Sequence, residues 1–336
     1  MYVCLYSLYL SYINTIILVF LLQVFFDIIF IFVIILLVVL MDILKKCNLC
    51  PHNCGINRYN NIGYCGAGSK VKLAHYSLHM WEEPILSGSN GSGTIFFSNC
   101  NLKCIYCQNR KISSLGYGKE ISNERLGDIF LELEKKGAHN INLVTPTMYV
   151  LQIIDSINYA KSKGINIPFV YNTSSYENTE TISLLNNYID IYLADLKYYD
   201  DNLACNYSKC KDYFKYASRA IDEMYKQRGK FIIENGLIKS GVIVRVLVLP
   251  GHVEDAKKII NYLYNKYKDN IIISIMNQYT PIIHIDKYNN LNRKISSSEY
   301  DDIINYACDL GINNAFIQDG DTQLESFIPK FDCSKI

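Results

Sequence analysis

The sequence predicts an α/β fold, a partial (β/α)6 TIM-like barrel preceded by a metal-binding loop region. Three observations carry this reading. From Thr94 onward, short apolar β-rich runs alternate with amphipathic stretches of helical period; six such units precede a last short strand; and polar or turn residues gather where each apolar run stops. Strands alternating with helices of ten or more residues argue for βαβ units and a parallel sheet. The count falls short of a closed eight-stranded barrel, so an open one is expected, with chemistry at the strand C-termini.

In chain order the units read GTIFFS with the helix ERLGDIFLELEKKG, HNINLVT with a helix through IIDSINYAKSKG, and IPFVYN with a short helix around Thr181 to Asn187. They continue as IDIYLADLK with a long helical region through Asp222 to Gln227, GVIVRVLVLP with DAKKIINYLYNKY, NIIISIM with EYDDIINYACDLG, and finally NNAFIQ. The strand ends LVTPT, VYNTSS, LADLK, VLPGH and IMNQYTP hold the candidate functional groups. Ahead of this core, Val71 to Ser92 reads as a turn-rich connection, and Cys47 to Gly66 as a loop that metal must order. The expected divisions are an apolar segment 1–40, a cysteine-rich extension 41–92, the core domain 93–320 and a tail 321–336.

Between Tyr2 and Leu40 the only charged side chain is Asp27. Such a stretch reads as a transmembrane helix with no removable signal peptide. Lys45 and Lys46 follow it and nothing basic precedes it, which would leave the rest of the chain in the cytoplasm. As one helix it would be roughly 58 Å long against a hydrocarbon core of roughly 30 Å, and Asp27 falls mid-segment. The alternative is a start at Met41, in frame just ahead of Cys47, in which case no membrane contact is expected and the chain is expected in the cytoplasm.

The formal charge of +1, from 33 basic and 32 acidic residues, creates no field to gather nucleic acid or anionic membrane. Seven of the 12 cysteines fall in two tight clusters with metal-ligand spacing, which points to a reducing compartment and metal rather than disulfides. Cys4, Cys205, Cys210, Cys308 and Cys333 are scattered and read as packing residues.

FFSNCNLKCIYCQN places Cys100, Cys104 and Cys107 in a C-x3-C-x2-C array directly after the first core strand. Ferredoxin-type clusters use four thiolates; three would leave one iron of a [4Fe-4S] cube open. Structural zinc wants a closed shell of four, and Asn99, Asn101 and Gln108 supply no good fourth ligand. The array, with the aromatic Tyr106 before its third cysteine, resembles the radical S-adenosylmethionine (SAM) superfamily. The wider chain, from about Met41 to Gln318, is similar to the pyruvate formate-lyase activating enzyme homologues with an additional N-terminal cysteine motif. CNLCPHNCGINR with GYCG, EEP, GAHNINLVTPT, VYNTSSYE, DIYLADLKYY, DEMYKQRG, VRVLVLPG and SIMNQYTP carry that likeness.

The resemblance implies a [4Fe-4S] cluster on Cys100, Cys104 and Cys107 whose open iron is chelated by SAM and which cleaves it reductively to a 5′-deoxyadenosyl radical. The chemistry belongs to that pair, and no side chain is assigned a catalytic role. Tyr106 is expected against the adenine. Thr145 and Thr147 of VTPT stand where the superfamily meets the methionyl amine; Met148 stands where the branch commonly has histidine. Asn172 and Ser174 are nominated for the ribose and carboxylate, with Ser175 where the branch has glycine. Asp195 and Lys197, two residues apart, share one strand face, and Arg245 is a candidate bidentate partner for a carboxylate, although Val246 replaces the usual histidine. Gln278, Tyr279, His75, His79, Glu82 and Glu83 are weaker candidates. All of these groups also suit ion pairs or turns on a barrel rim.

Cys47, Cys50, Cys54 and Cys65 form C-x2-C-x3-C-x10-C, a complete four-thiolate set for a second iron–sulfur cluster or zinc. Three functions are therefore expected to compete. The first is hydrogen abstraction from a glycine of a partner glycyl-radical protein, the second a radical reaction on a small molecule or peptide, and the third a non-catalytic iron–sulfur or zinc protein. Either enzyme reading requires an electron donor such as flavodoxin or ferredoxin.

Overall fold

The computed structural model describes residues 23–25, 43–318, 331, 333 and 336. Ten strands form its sheet: β1 (Val71–His79), β2 (Ser92–Phe97), β3 (Lys119–Ile121), β4 (Ile141–Val144), β5 (Phe169–Thr173), β6 (Ile191–Asp195), β7 (Ile232–Glu234), β8 (Leu237–Leu247), β9 (Ile272–Met276) and β10 (Ala315–Ile317). Their order is β10-β9-β8-β6-β5-β4-β2-β1-β3, with β7 on β8. Every neighbour from β2 to β10 on that path pairs in parallel. The expected six βα units and final short strand are thus present, in the expected sequence, as the largely parallel sheet of a partial barrel.

These strands carry unbroken apolar runs because helices cover the sheet. β2, β5 and β9 are buried at every position, as strands covered on both faces should be. The helix Asn123–Lys135 buries Leu126, Ile129, Phe130 and Leu133, a three-four spacing that makes one apolar stripe. Ser122 caps it by accepting from the Arg125 N–H at 3.1 Å, and Ser296 with Glu299 forms a capping box at the helix Ser297–Asp309. Parallel register then sets the functional rim. Phe96 lies opposite Val144, Val144 opposite Asn172 and Asp195 opposite Arg245, so the strand ends reach the same level.

Three strands depart from the expectation. Val71–His79 is a nine-residue strand, not a connection, and pairs antiparallel with β2. Its polar Lys72, His75, Ser77 and His79 and the register shift between Leu73 and His75 disguise its alternation. β3 is too short to show a period. β7 joins β8 through Asn235-Gly236, both at positive φ, a hairpin signal that was legible.

Residues ahead of β1 dock on the core through polar groups. Arg58, 2% exposed, donates to the Met148 carbonyl at 2.6 Å and to that of Gly68. Asn178 Nδ2 donates to Asn48 O at 2.6 Å and Thr181 Oγ1 to Leu49 O at 2.8 Å. The expected membrane anchor in residues 1–40 lies outside the described residues, apart from 23–25, which are helical. Among the described residues no helix is long and apolar enough to cross a membrane. Of the tail, Phe331 packs edge-on to Phe96 with ring centroids 5.4 Å apart.

Arg58→Met keeps much of the volume but leaves two buried carbonyls without donors, at about 1–3 kcal/mol each. The expected loss of several kcal/mol is measurable by guanidinium unfolding. An unchanged midpoint would show that these bonds do not hold the extension.

Candidate active site

The cysteine array follows β2, where the chain must turn sharply to aim its sulfurs across the strand ends. Asn99 makes the turn at φ +74, a conformation asparagine tolerates better than most residues. Its side chain donates to the Tyr149 hydroxyl at 3.0 Å, and that hydroxyl donates to Ser98 O at 3.1 Å. Beyond Cys100, Asn101 Nδ2 donates to Tyr176 O at 2.7 Å, while the N–H groups of Lys103 and Ile105 donate to Ser208 O and Tyr207 O at 3.0 and 2.8 Å. The loop is thereby fixed against a segment a hundred residues further along the chain.

Each sulfur has a polar neighbour. The Leu102 N–H donates to Cys100 Sγ at 3.4 Å, Ser208 Oγ lies 3.0 Å from Cys104 Sγ and Ser113 Oγ lies 3.2 Å from Cys107 Sγ. Burial pushes the Cys100 and Cys104 thiols up, Cys104 to about 11. Lys197 is the neighbouring cation that opposes this at Cys104.

The three cysteines line one cavity of about 270 Å³, together with Tyr106, Thr145, Asn172, Ser174, Asp195, Lys197 and Arg245. Seven of the eight nominated side chains therefore meet at the rim. Three half-buried cysteines, each sulfur with a hydrogen-bonding neighbour and all lining one polar cavity, suit a cluster that keeps one iron for an outside ligand. The superfamily model "Radical SAM superfamily" matches residues 94–263, which include the array, most of β2 and all of β3 through β8. The chain belongs to the radical SAM superfamily.

Among relatives of this radical SAM chain, "Uncharacterized protein MJ0674" of Methanocaldococcus jannaschii is 32% identical over 278 residues, 79% of this chain and 75% of that protein. The "Pyruvate formate-lyase-activating enzyme" of Clostridium pasteurianum is a distant homologue, 27% identical over 217 residues, 62% of this chain and 83% of that one. The solved structure "Native anSMEcpe with bound AdoMet" is 18% identical with a TM-score of 0.47, covering 66% of this chain and 61% of that one. The protein is a radical SAM enzyme. A [4Fe-4S] cluster and SAM are typical of its superfamily, and that membership sets aside the non-catalytic reading.

The radical SAM cavity departs from expectation at particular side chains. Thr147 does not line it: its hydroxyl donates to Glu177 Oε1 at 2.6 Å, on the far side of the turn. Arg245 is not poised to clamp an incoming carboxylate. Its Nε donates to Asp195 at 2.7 Å, Nη2 to Asn172 Oδ1 at 2.7 Å and Nη1 to Glu82 at 3.4 Å, so its fork is already engaged. Tyr106 turns its hydroxyl away from the cavity, to that of Tyr198 at 2.5 Å, leaving its ring on the wall beside Tyr279. Asp195 and Lys197 do share a face and are joined at 2.7 Å. Burial favours the neutral Asp195 carboxyl, but Arg245 and Lys197 outweigh it and hold the group below the usual range.

Of the weaker candidates, His79, Glu82, Gln278 and Tyr279 line the cavity; His75 and Glu83 do not. Thr145, a β-branched residue, sits at φ +60, and Ser175 at φ +61, which accounts for the glycine common at the latter position. Sequence reasoning missed three groups. Ser113, Ser208 and Glu177 are ordinary by type, and only the fold brings the first two to the sulfurs. Glu177 is fully enclosed and accepts from Thr147, Thr173 and Tyr171 at 2.6, 2.6 and 3.3 Å, yet its Oε2 has no partner among the described residues.

Burial raises the Glu177 carboxyl to about 7. Between an unfolded value of about 4.3 and that value the unfolded chain ionises while the folded chain keeps its proton. Stability therefore falls as pH rises through this window, by about 3 kcal/mol. Glu177→Gln should remove the loss, giving a variant more stable than wild type at pH 8 and little changed at pH 4 in urea unfolding. Equal pH dependence of the two proteins would refute the assignment.

Hydrogen bonds to cluster sulfurs help set reduction potential. Ser208→Ala should move the midpoint of the reconstituted [4Fe-4S] cluster to more negative values in a spectroelectrochemical titration, with the fold retained by circular dichroism and a modest loss of stability from the Tyr198 bond it also removes. An unshifted midpoint would mean that the hydroxyl does not act on the cluster.

Proposed function

We propose that this radical SAM enzyme is an activase, removing a hydrogen atom from a glycine Cα of a partner polypeptide. The generation of a 5′-deoxyadenosyl radical is the property of the superfamily. The glycine target is supported by the distant homology to a pyruvate formate-lyase-activating enzyme and by the additional N-terminal cysteine motif that marks one branch of those homologues. With the cluster and SAM bound, the pair supplies one-electron cleavage of a carbon–sulfur bond of SAM, giving methionine and the adenosyl radical.

The convergence of the triad with Asp195, Lys197 and Asn172 on one cavity carries the assignment of the SAM site. Cys100, Cys104 and Cys107 would hold the cluster. Asn172 gives its oxygen to Arg245, which leaves its amide hydrogens for a ligand. Lys197 and Asp195 present a fixed ammonium and carboxylate to the amino-acid end of SAM, while Thr145 and Ser174 add polar groups from neighbouring strand ends. The Tyr106 and Tyr279 rings form an apolar wall for the adenine and limit water. Reduction requires an outside one-electron donor of the flavodoxin or ferredoxin kind.

Anaerobically reconstituted protein, given a low-potential reductant and SAM, should release 5′-deoxyadenosine. Cys104→Ala should lower that release at least about 100-fold, below detection, since a cube with only two protein ligands loses its anchoring, while the apo-protein fold measured by circular dichroism persists. Turnover by Cys104→Ala would refute the triad. For the target, polypeptides carrying α-deuterated glycine should transfer deuterium into 5′-deoxyadenosine. Transfer from a small metabolite or from another residue, and not from glycine, would instead establish the small-molecule or peptide reading.

A further inference from the structure

Tyr106, Tyr198 and Ser208 set three hydroxyls in a row behind the cysteine triad. Tyr106 OH lies 2.5 Å from Tyr198 OH, Tyr198 OH 2.7 Å from Ser208 Oγ, and Ser208 Oγ 3.0 Å from Cys104 Sγ. All three side chains are buried. Distant parts of the sequence supply them, for Tyr198 is 92 positions from Tyr106 and Ser208 is 104 from Cys104. Of the three, only Tyr106 lines the SAM cavity. The row therefore joins the cavity wall to a sulfur without passing through the cavity itself.

Proton counting fixes the direction of this row. Each hydroxyl has one proton to donate and an oxygen that can accept. Among the described residues the hydrogen-bond partners of the three hydroxyls are one another and the sulfur. A cysteine that ligates metal does so as the thiolate, which accepts and has no proton to give. If Tyr106 donates to Tyr198, Tyr198 to Ser208 and Ser208 to Cys104, every proton has an acceptor. The reverse direction strands the Tyr106 proton in a buried position and leaves the sulfur without a hydroxyl donor, and buried donors left unpaired are costly. Bonds aligned head to tail also polarise one another, so Ser208 is a stronger donor with two tyrosines behind it than alone.

The parts are fixed in place. The Tyr198 ring meets that of Tyr213 edge-on, with centroids 5.4 Å apart, and the Tyr213 hydroxyl accepts the Lys197 N–H at 2.9 Å and donates to Ser174 O at 2.8 Å. Ser208 O accepts the Lys103 N–H at 3.0 Å, so this residue meets the cysteine loop with main chain and side chain alike. We propose that Tyr106, Tyr198 and Ser208 form a one-way hydroxyl relay ending on the Cys104 thiolate, with the two tyrosines as positioning residues that raise the cluster's reduction potential through Ser208. The inference rests on the assignment of the SAM-binding cluster to the triad and is independent of the glycine target. Cys47, Cys50, Cys54 and Cys65 border a small space of their own, which none of the three hydroxyl residues lines. The relay therefore acts on the triad alone.

The test follows the midpoint of the SAM-altered paramagnetic signal in the anaerobically reconstituted full chain. Tyr198→Phe keeps the ring and deletes the middle hydroxyl. It should disfavour one-electron reduction about twofold, against about tenfold for Ser208→Ala, as a cooperative share of one hydrogen bond requires. In a Ser208→Ala background it should add nothing, because it acts only through the serine. Tyr106→Phe should shift the midpoint in the same sense and by less, and should add nothing to Tyr198→Phe. In deuterated buffer, electron–nuclear double resonance should find an exchangeable deuteron coupled to the reduced cluster, lost in Ser208→Ala and more weakly coupled in Tyr198→Phe. An unshifted midpoint in Tyr198→Phe, or a shift that persists beside Ser208→Ala, overturns the relay. Should Tyr198→Phe fail to fold, Tyr106→Phe with and without Ser208→Ala gives the same comparison. A Cys104→Ala protein that keeps the SAM-altered signal would sink the triad assignment and the relay together, whereas failure of glycine abstraction would sink the activase reading and leave these midpoints untouched.

Discussion

The site depends on the backbone of the cysteine loop, which must carry three sulfurs across the end of β2 without a ladder of its own. Its N–H groups find partners on three separate elements. Ser98 donates to Lys72 O in β1 at 2.8 Å, Asn99 to Ile112 O in the short helix Arg110–Ser113 at 2.8 Å, and Lys103 and Ile105 to the segment 207–208. Buried amides left unpaired would cost about 1–3 kcal/mol each, so these elements are as much a part of the cysteine site as the cysteines. This explains why an antiparallel strand is added to an otherwise parallel sheet: β1 covers the edge of β2 and gives the loop its first anchor.

The same rim concentrates backbone strain. Asn99, Thr145 and Ser175 each adopt a positive φ immediately beyond a parallel strand. Such conformations cost about 1–3 kcal/mol apiece and survive only where the surroundings fix them. Here the fixing contacts are visible: Thr145 N–H donates to Asn172 O at 2.9 Å, and Ser175 N–H donates to Thr173 Oγ1 at 3.2 Å. Turning the chain at these points lets short polar residues of three adjacent strands face one cavity, which regular strand ends would splay apart.

How much was legible in the sequence follows from the range of each interaction. The βα units were readable because burial on both faces leaves continuous apolar runs, and the cysteine sets because ligand spacing is local. β1 was not, since Lys72, His75 and the bulge interrupt its period and its partner lies beyond a turn. Thr147 was misassigned because the helical turn Thr147–Tyr149 rotates it from the rim toward Glu177, a rotation no motif records. Arg245 was nominated by residue type, but its engagement depends on Asn172 and Glu82, residues 73 and 163 positions away. Ser208 had no local signal at all, being 104 positions from the sulfur it meets.

These long-range contacts also distinguish the two cations that line the cavity. Arg245 has all three nitrogens committed, to Asp195, Glu82 and Asn172, and thereby ties β8, β5 and the approach to β2 into one rigid unit. Among the described residues Lys197 bonds only Asp195, so two of its three donors remain for a ligand. Burial works against the lysine's charge, but Asp195 and the Cys104 thiol outweigh it and hold its pKa above the ordinary value. A low-dielectric site strengthens that ammonium's field, and Cys104, to which it is electrostatically linked, belongs to the loop that would carry the cluster. The arginine's donors are therefore spent on the wall while the lysine keeps donors toward the cavity, a difference that follows from hydrogen-bond count and not from charge, which the two side chains share.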